Sequence, residues 1–268
     1  MKRNTFAQWH DRAFRDRLVL AVAAVLAWQL AAQAVGAHWI SPPVATARRV
    51  LELALNGDLT RHALYTLAAA AGGFVVGGVP GGLLPFVLRR APRVAAVLDP
   101  YLVAAYGMPK LALAPLFILW FGIGLASKVA LVASIVFFLV FFSATAGVRA
   151  TDVRLVAMAR VIGASERALA RHVVWPGAVP YIFAGLKISL SYAIGAAVVG
   201  ELISSNRGLG YVIQAGANDF DTTTVFAALA TLTVLIVVVN ALVEAAERRL
   251  LRWRPVDAQP ARRLVTAA

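Results

Sequence analysis

Lys110 stands between Pro109 and Pro115 in a stretch, 100–127, with no other Lys, Arg, Asp or Glu. An ammonium in the middle of a membrane span costs about 2.5–3.5 kcal/mol on insertion scales, so it normally faces a cavity or a partner. In an anion pathway it would supply attraction; the plainer alternative is that the two prolines break the span and Lys110 assists packing at a hydrated kink. Groups for covalent chemistry are sparse. Cysteine is absent, and His10, His38, His62 and His172 are too scattered for a metal cluster. The run Gly122-Ile123-Gly124-Leu125-Ala126-Ser127-Lys128-Val129 lacks the glycine before and the hydroxyl after the lysine that a phosphate-cradling loop needs, and Gly208-Leu209-Gly210 is a lone Gly-x-Gly. Asp219, Asp221 and Glu201 form the one outer acidic group, expected to face water or a partner protein. Lys187 and Glu201 lie near the ends of one apolar span and read as interfacial anchors. Conduction and mechanical coupling fit these residues better than catalysis.

Positioning such residues requires a membrane. Sixty per cent of the 268 residues are hydrophobic, against roughly 45–50% in soluble domains. The sequence predicts an all-α polytopic membrane protein with six transmembrane helices, at 18–37, 64–88, 97–121, 128–148, 182–203 and 224–245. Tails at 1–17 and 247–268, an outer segment at 38–63 and a basic insert at 149–181 complete the chain, and 62–246 reads as one transmembrane domain. The start Met1-Lys2-Arg3 with Ala32-Gln33-Ala34 is similar to a signal peptide, but the charge-free run Leu18 to Ala47 exceeds the usual 7–15-residue signal core, so it is read as an uncleaved span. Nineteen Lys and Arg fall on the side of the tails, the 89–93 turn and the insert. Five (Arg48, Arg49, Arg61, Lys128, Arg207) fall opposite. The positive-inside rule therefore puts both termini and the insert in the cytoplasm, and the charge, +13 overall, serves topology rather than nucleic acid.

Within the outer segment, Pro42-Pro43 and Val44 to Leu55 suggest an interfacial amphipathic helix. Gly73, Gly77 and Gly81 repeat at four-residue spacing and predict close helix packing, with Pro80 bending the same helix. Trp120, Trp175 and Trp253 fall at span ends as aromatic belts do, and Phe137, Phe138, Phe141 and Phe142 read as packing. The insert parses into Asp152 as N-cap, a helix Val153 to Ile162, Gly163 as the left-handed stop, Ser165 as the next N-cap, and Pro176 as the end of the second helix.

The segment Ala159-Arg160-Val161-Ile162-Gly163-Ala164-Ser165, with Pro176 and Pro180-Tyr181-Ile182-Phe183-Ala184-Gly185-Leu186, resembles the EAA loop of type I ATP-binding cassette (ABC) importer permeases. Pro109 to Gly122, Ser127-Lys128, Glu201-Leu202-Ile203, Gly208 to Ile213 and Arg248 to Trp253 resemble the nitrate/sulfonate/taurine branch. The resemblance covers roughly residues 42 to 254. It implies a type I permease fold, a cytoplasmic coupling helix between spans 4 and 5, and coupling-loop residues Ala157, Ala159, Arg160, Gly163, Ala164, Ser165 and Pro176. It further implies a permease homodimer, two ABC ATPase subunits that bind ATP and Mg, a periplasmic solute-binding protein and a small-molecule solute, with no cofactor on this chain. Three positions depart from the family: Ala157 replaces the glutamate that usually opens the motif, Ala69 an arginine and Asn240 an acidic residue. The branch implies a sulfonate, taurine or nitrate-type anion as cargo, while similar permeases serve thiamine-precursor pyrimidines, riboflavin or aromatic acids. A secondary transporter would need midspan acidic groups and two related halves, and a membrane enzyme would need convergent ligands; the sequence offers neither.

Overall fold

The computed structural model describes residues 3–250; Met1, Lys2 and the tail beyond Leu250, with Arg252 and Trp253, lie outside them. Described elements are all helical: α1 (Arg3–Val35), α2 (Pro43–Leu55), α3 (Asp58–Arg89), α4 (Pro92–Gly107), a 3-10 turn (Lys110–Leu113), α5 (Ala114–Phe121), α6 (Leu125–Arg149), α7 (Val153–Val161), α8 (Glu166–Leu169), a π-turn (Ala170–Val174), α9 (Trp175–Ile203), α10 (Leu209–Asn218) and α11 (Thr222–Leu250). Five stretches are long and apolar enough to cross a bilayer: Arg15–Val35, Asp58–Arg89, Leu125–Arg149, Glu166–Ile203 and Thr222–Arg249.

The stretch read as a single span at 97–121 is broken. α4 and the Lys110–Phe121 segment meet at 82°, a bend that fits either a broken sixth span or a re-entrant loop by length and composition. Pro109 forces the cause: it has no N–H to donate, and it drives Met108 into an extended conformation (φ −65°, ψ 136°) that ends α4. Pro176 is a correction in the other direction. It does not stop a helix; it sits in the first turn of α9, and the chain stays helical from Glu166 to Ile203. The preceding π-turn re-registers the backbone bonds, so the missing N–H of proline falls where the α ladder is already interrupted.

α6 is the centre of the bundle, held between α3 and α9. Val132, Val136 and Val140 are fully buried along it, against Ala69 and Ala70 on one side and Ala193, Ile194 and Ala197 on the other. In lipid no hydrophobic force drives helices together, so backbone approach and dispersion must do it. Gly77 and Gly81 allow that approach: a Cβ on Gly77 would fall inside the Ala133 backbone, and one on Gly81 would lie 2.6 Å from the Phe137 carbonyl oxygen. Gly73 faces the Val132 side chain in the same row. The opposite seam repeats the device, since a Cβ on Gly185 would lie 2.6 Å from Ser143 Cβ. α1 exposes Leu18, Val22, Leu26 and Leu30, the surface a bilayer solvates. Trp28 Nε1 donates to the Ser41 carbonyl at 3.0 Å and stacks on Phe226, fastening α1 to α11.

Candidate functional site

The insert is a two-helix bracket. Asp152 Oδ1 accepts from the Arg154 amide at 2.8 Å and caps α7. At the far end the Gly163 amide donates to Arg160 O (3.0 Å) and the Ala164 amide to Ala159 O (2.9 Å), the paired bonds of a Schellman C-cap, with Gly163 at φ 81°. Ser165 Oγ then accepts from the Ala168 amide at 3.2 Å and starts α8. Across the turn Arg160 pairs with Glu166 at 2.8 Å, and the other oxygen of Glu166 reaches Arg89, at the end of α3, at 3.7 Å. Leu169, Val174 and Ala178 are fully buried beneath the bracket, and Trp175 packs on Phe86 with ring centroids 4.9 Å apart. Above it, α7 leaves Val153, Leu155, Met158, Val161 and Ile162 exposed, the last two by 87% and 81%. Ala157 is also exposed.

Lys110 is committed to the break in its span. Its ammonium donates to the carbonyls of Ala105 (2.9 Å), Tyr106 and Met108 (3.2 Å), the orphan acceptors left by the end of α4. It also lies 4.6 Å from the Phe138 ring centroid. An ammonium has three donors, and all three have protein acceptors here. Just beyond, Leu111, Ile135, Ser191, Tyr192, Gly195 and Val199 line an open groove of about 340 Å³ on the α6–α9 face. Asn240 donates to Ser191 Oγ at 3.2 Å behind it.

At the opposite end of α9 from the bracket, a buried polar knot corrects two sequence expectations. Glu201 is 1% exposed rather than anchored at an interface. Its Oε2 accepts from Thr66 Oγ1 and from the Gly210 amide, both at 2.9 Å, while Thr66 Oγ1 accepts from the Leu209 amide at 2.8 Å and the Gly208 amide donates to His62 Nδ1 at 3.0 Å. The cause is tertiary: α10 folds back over the end of α9 and seals the carboxylate from water. Gly208 and Gly210 are required there because a Cβ on either would run into Glu201. Lys128, counted in the sequence as an outer topology charge, is 1% exposed and donates to the Ile123 (2.6 Å) and Ser204 carbonyls. Glu201 therefore does not join Asp219 and Asp221. Those two line a different groove with Arg49, Asp58, His62 and Tyr211. Lys187, by contrast, is half-exposed and pairs with Glu247 at 3.3 Å.

α2 is fastened to the start of α11 at the same end. Arg49 Nε donates to Thr224 Oγ1 at 2.9 Å and approaches Asp221 at 3.8 Å. Partial burial pushes the Asp221 carboxyl up, but the Thr224 hydroxyl and amide and the Arg49 guanidinium outweigh it and hold the group below its usual range.

The bracket thus joins Ala159, Arg160, Gly163, Ala164 and Ser165 in one turn, with Pro176 at the base of α9. Sequence reasoning missed Glu166 as the link to α3. An acidic residue opening a helix right after a glycine stop is the one local signal it gives; its distant partner Arg89 gives none.

Residues 73–252 match the family model described as binding-protein-dependent transport system inner membrane component. The chain is 36% identical over 211 residues to the riboflavin transport system permease protein RibX of Chloroflexus aurantiacus, covering 79% of each chain. It is 34% identical over 239 residues to the putative aliphatic sulfonates transport permease protein SsuC of Bacillus subtilis, covering 88% of this chain and 87% of that one. In fold it is similar to the crystal structure of an amino acid ABC transporter with histidines (TM-score 0.60, 19% identity, 74% of this chain and 96% of that one).

Proposed function

Because the chain belongs to the family of binding-protein-dependent transport system inner membrane components, it is a multi-pass inner-membrane permease subunit of an ABC importer, and we propose that residues 149–181 are the element through which a separate ATPase drives it. The observation that carries this reading is the exposed apolar face of α7, with Val161 87% exposed, on a mount braced to α3 and α9. Exposed apolar side chains interleaved with Arg154 and Arg160 on a capped helix are suited to a protein groove. The charge asymmetry of the loops supports a cytoplasmic bracket and cytoplasmic termini. In the working importer two copies of this chain form the pathway, each bracket docks one ATPase subunit, and a soluble binding protein delivers solute from outside. Closure of the ATPase dimer on ATP displaces α7. Glu166 and the π-turn pass that displacement to α3 and α9, which grip α6 from both sides, so the bundle tilts as a body.

Met158→Asp tests the docking face, since a carboxylate there must be desolvated on docking. Expected are normal membrane yield, loss of ATPase co-purification and loss of uptake; wild-type co-purification would refute the assignment.

For the cargo, the 34% identity to SsuC supports a small sulfonate, taurine or nitrate-type anion. A second reading, a flavin, a thiamine-precursor pyrimidine or an aromatic acid, is favoured by the 36% identity to RibX and by the groove at Tyr192, where Lys110, the residue before the lining Leu111, is already saturated with carbonyls. Thermal-shift screening of the partner binding protein with taurine, alkanesulfonates, nitrate and riboflavin separates the two.

A further inference from the structure

The turn between α10 and α11 holds an aromatic side chain where the backbone favours glycine. Phe220 has φ 56°, the single non-glycine residue at positive φ among the described residues. Its amide donates to Ala217 O at 3.3 Å and the Asp221 amide to Gly216 O at 2.8 Å. These are the same paired Schellman bonds that close the bracket, where the equivalent position is Gly163. An L-side chain at that position carries a steric cost that glycine avoids. Burial does not offset it, because Phe220 is 90% exposed. A strained backbone presenting an exposed aromatic ring is disadvantageous for folding and solubility alike, and such strain concentrates at functional sites.

The surroundings indicate which partner fits. The adjoining groove, of about 290 Å³, is lined by residues of both signs, among them Arg49, Asp58, His62, Asp219 and Asp221. An exposed aromatic ring beside a mixed polar rim has the anatomy of a protein-protein hot spot. A bilayer fits less well, since membrane-surface segments set aromatic residues among Lys and Arg, whereas Phe220 stands between two aspartates. Asp221 is engaged by Arg49 and Thr224, while Asp219 has no ion-pair partner among the described residues. α9 separates this turn from the bracket by the length of a full span. We propose that Phe220 is the anchor by which the outer face of this permease captures its soluble binding protein, entering an apolar pocket whose rim presents Lys or Arg to Asp219. The inference rests on the importer reading given above, which places this turn outside the cell.

The test uses the whole importer in proteoliposomes, with uptake measured against binding-protein concentration. Phe220→Gly removes the ring and relieves the backbone, so the variant should melt at the wild-type temperature or above it. Its half-saturating binding-protein concentration should rise at least about tenfold, excess binding protein should recover the rate, and Phe220→Tyr should stay near wild type. Asp219→Lys should raise the half-saturation as well. An unchanged half-saturation in Phe220→Gly overturns the proposal. So does a loss that excess binding protein cannot recover, a fall in membrane incorporation, which assigns the ring to lipid, or a change in oligomeric state, which assigns it to a second copy. If wild-type uptake itself proves independent of ATP and of binding protein, it is the importer reading that fails.

Discussion

Substitutions at Gly163 should rank by tolerance of φ 81°, with nothing else contributing. A Cβ built on Gly163 meets no atom within 4 Å, so the cost is the backbone's own. For an L-residue that cost is roughly 1–2 kcal/mol, less for Asn, which enters the left-handed region readily, and more for a β-branched residue. Opposing it are the Gly163 and Ala164 amide bonds, each worth about 0.5–1.5 kcal/mol net, and the exposed Arg160–Glu166 pair, worth about 0–1 kcal/mol. Gly163→Asn should therefore keep the turn and Gly163→Ala weaken it, while Gly163→Val approaches the total holding it closed. Since about 1.4 kcal/mol is a tenfold shift in an equilibrium ratio, Val should lower the closed-to-open ratio by one to two orders of magnitude relative to Gly, which brings the closed fraction down toward one half. The assay is twofold: disulfide cross-linking of a cysteine placed at Met158 to one on the ATPase, and solute taken up per ATP hydrolysed. Cross-linking yield and coupling should fall in the order Gly, Asn, Ala, Val, with membrane insertion unchanged. If Val cross-links and transports like Asn, the bracket does not depend on its glycine stop and the coupling argument loses its mechanical basis.

Gly77→Ala should destabilise the detergent-solubilised protein by about 1–3 kcal/mol, because its methyl group lands on the Ala133 backbone, while Gly82→Ala, with its nearest neighbour at 3.7 Å, should melt like wild type; equal melting temperatures would refute the close-packed α3–α6 seam. Lys110→Leu should lower stability and transport together by freeing three carbonyls; a large loss of uptake at unchanged melting temperature would instead return Lys110 to the solute path. Thr66→Val should cost about 1–3 kcal/mol, since it strands the Leu209 amide and leaves Glu201 Oε2 with the Gly210 amide alone, and protease susceptibility of the 204–218 segment should rise; unaltered proteolysis would show that α10 is held by other means. For Asp221 the folded carboxyl lies below its unfolded value, so its contribution is present above the ordinary Asp pKa of about 3.9 and is lost as pH falls through the folded value. Melting temperatures of wild type and Asp221→Asn should then differ near neutrality and converge in acid.

Legibility in the sequence followed the range of the interaction responsible. Asp152, Gly163 and Ser165 were readable because capping and positive φ are settled within a few residues. The break at Pro109 was readable as an alternative, since a missing N–H acts on its own turn. Pro176 misled because the same rule fails after a π-turn, and no local signal announces that re-registration. Glu201 misled for a different reason. Its position near a span end suggested water, but its partner Thr66 is 135 residues away and its cover, α10, comes later in the chain.

Hydropathy, charge asymmetry and turn chemistry by themselves determined that this chain is a polytopic helical protein with a capped basic insert, because each is a property of a short segment in a given solvent. The tertiary structure alone decided what each of four charged groups is for. Lys110 closes a helix end, Lys128 holds the 123 and 204 carbonyls, Glu201 binds α10 to α3, and Glu166 joins the insert to the bundle. A charged group takes its role from the segment that covers it and the acceptor within about 3 Å of it, and only the folding of distant segments onto one another supplies either.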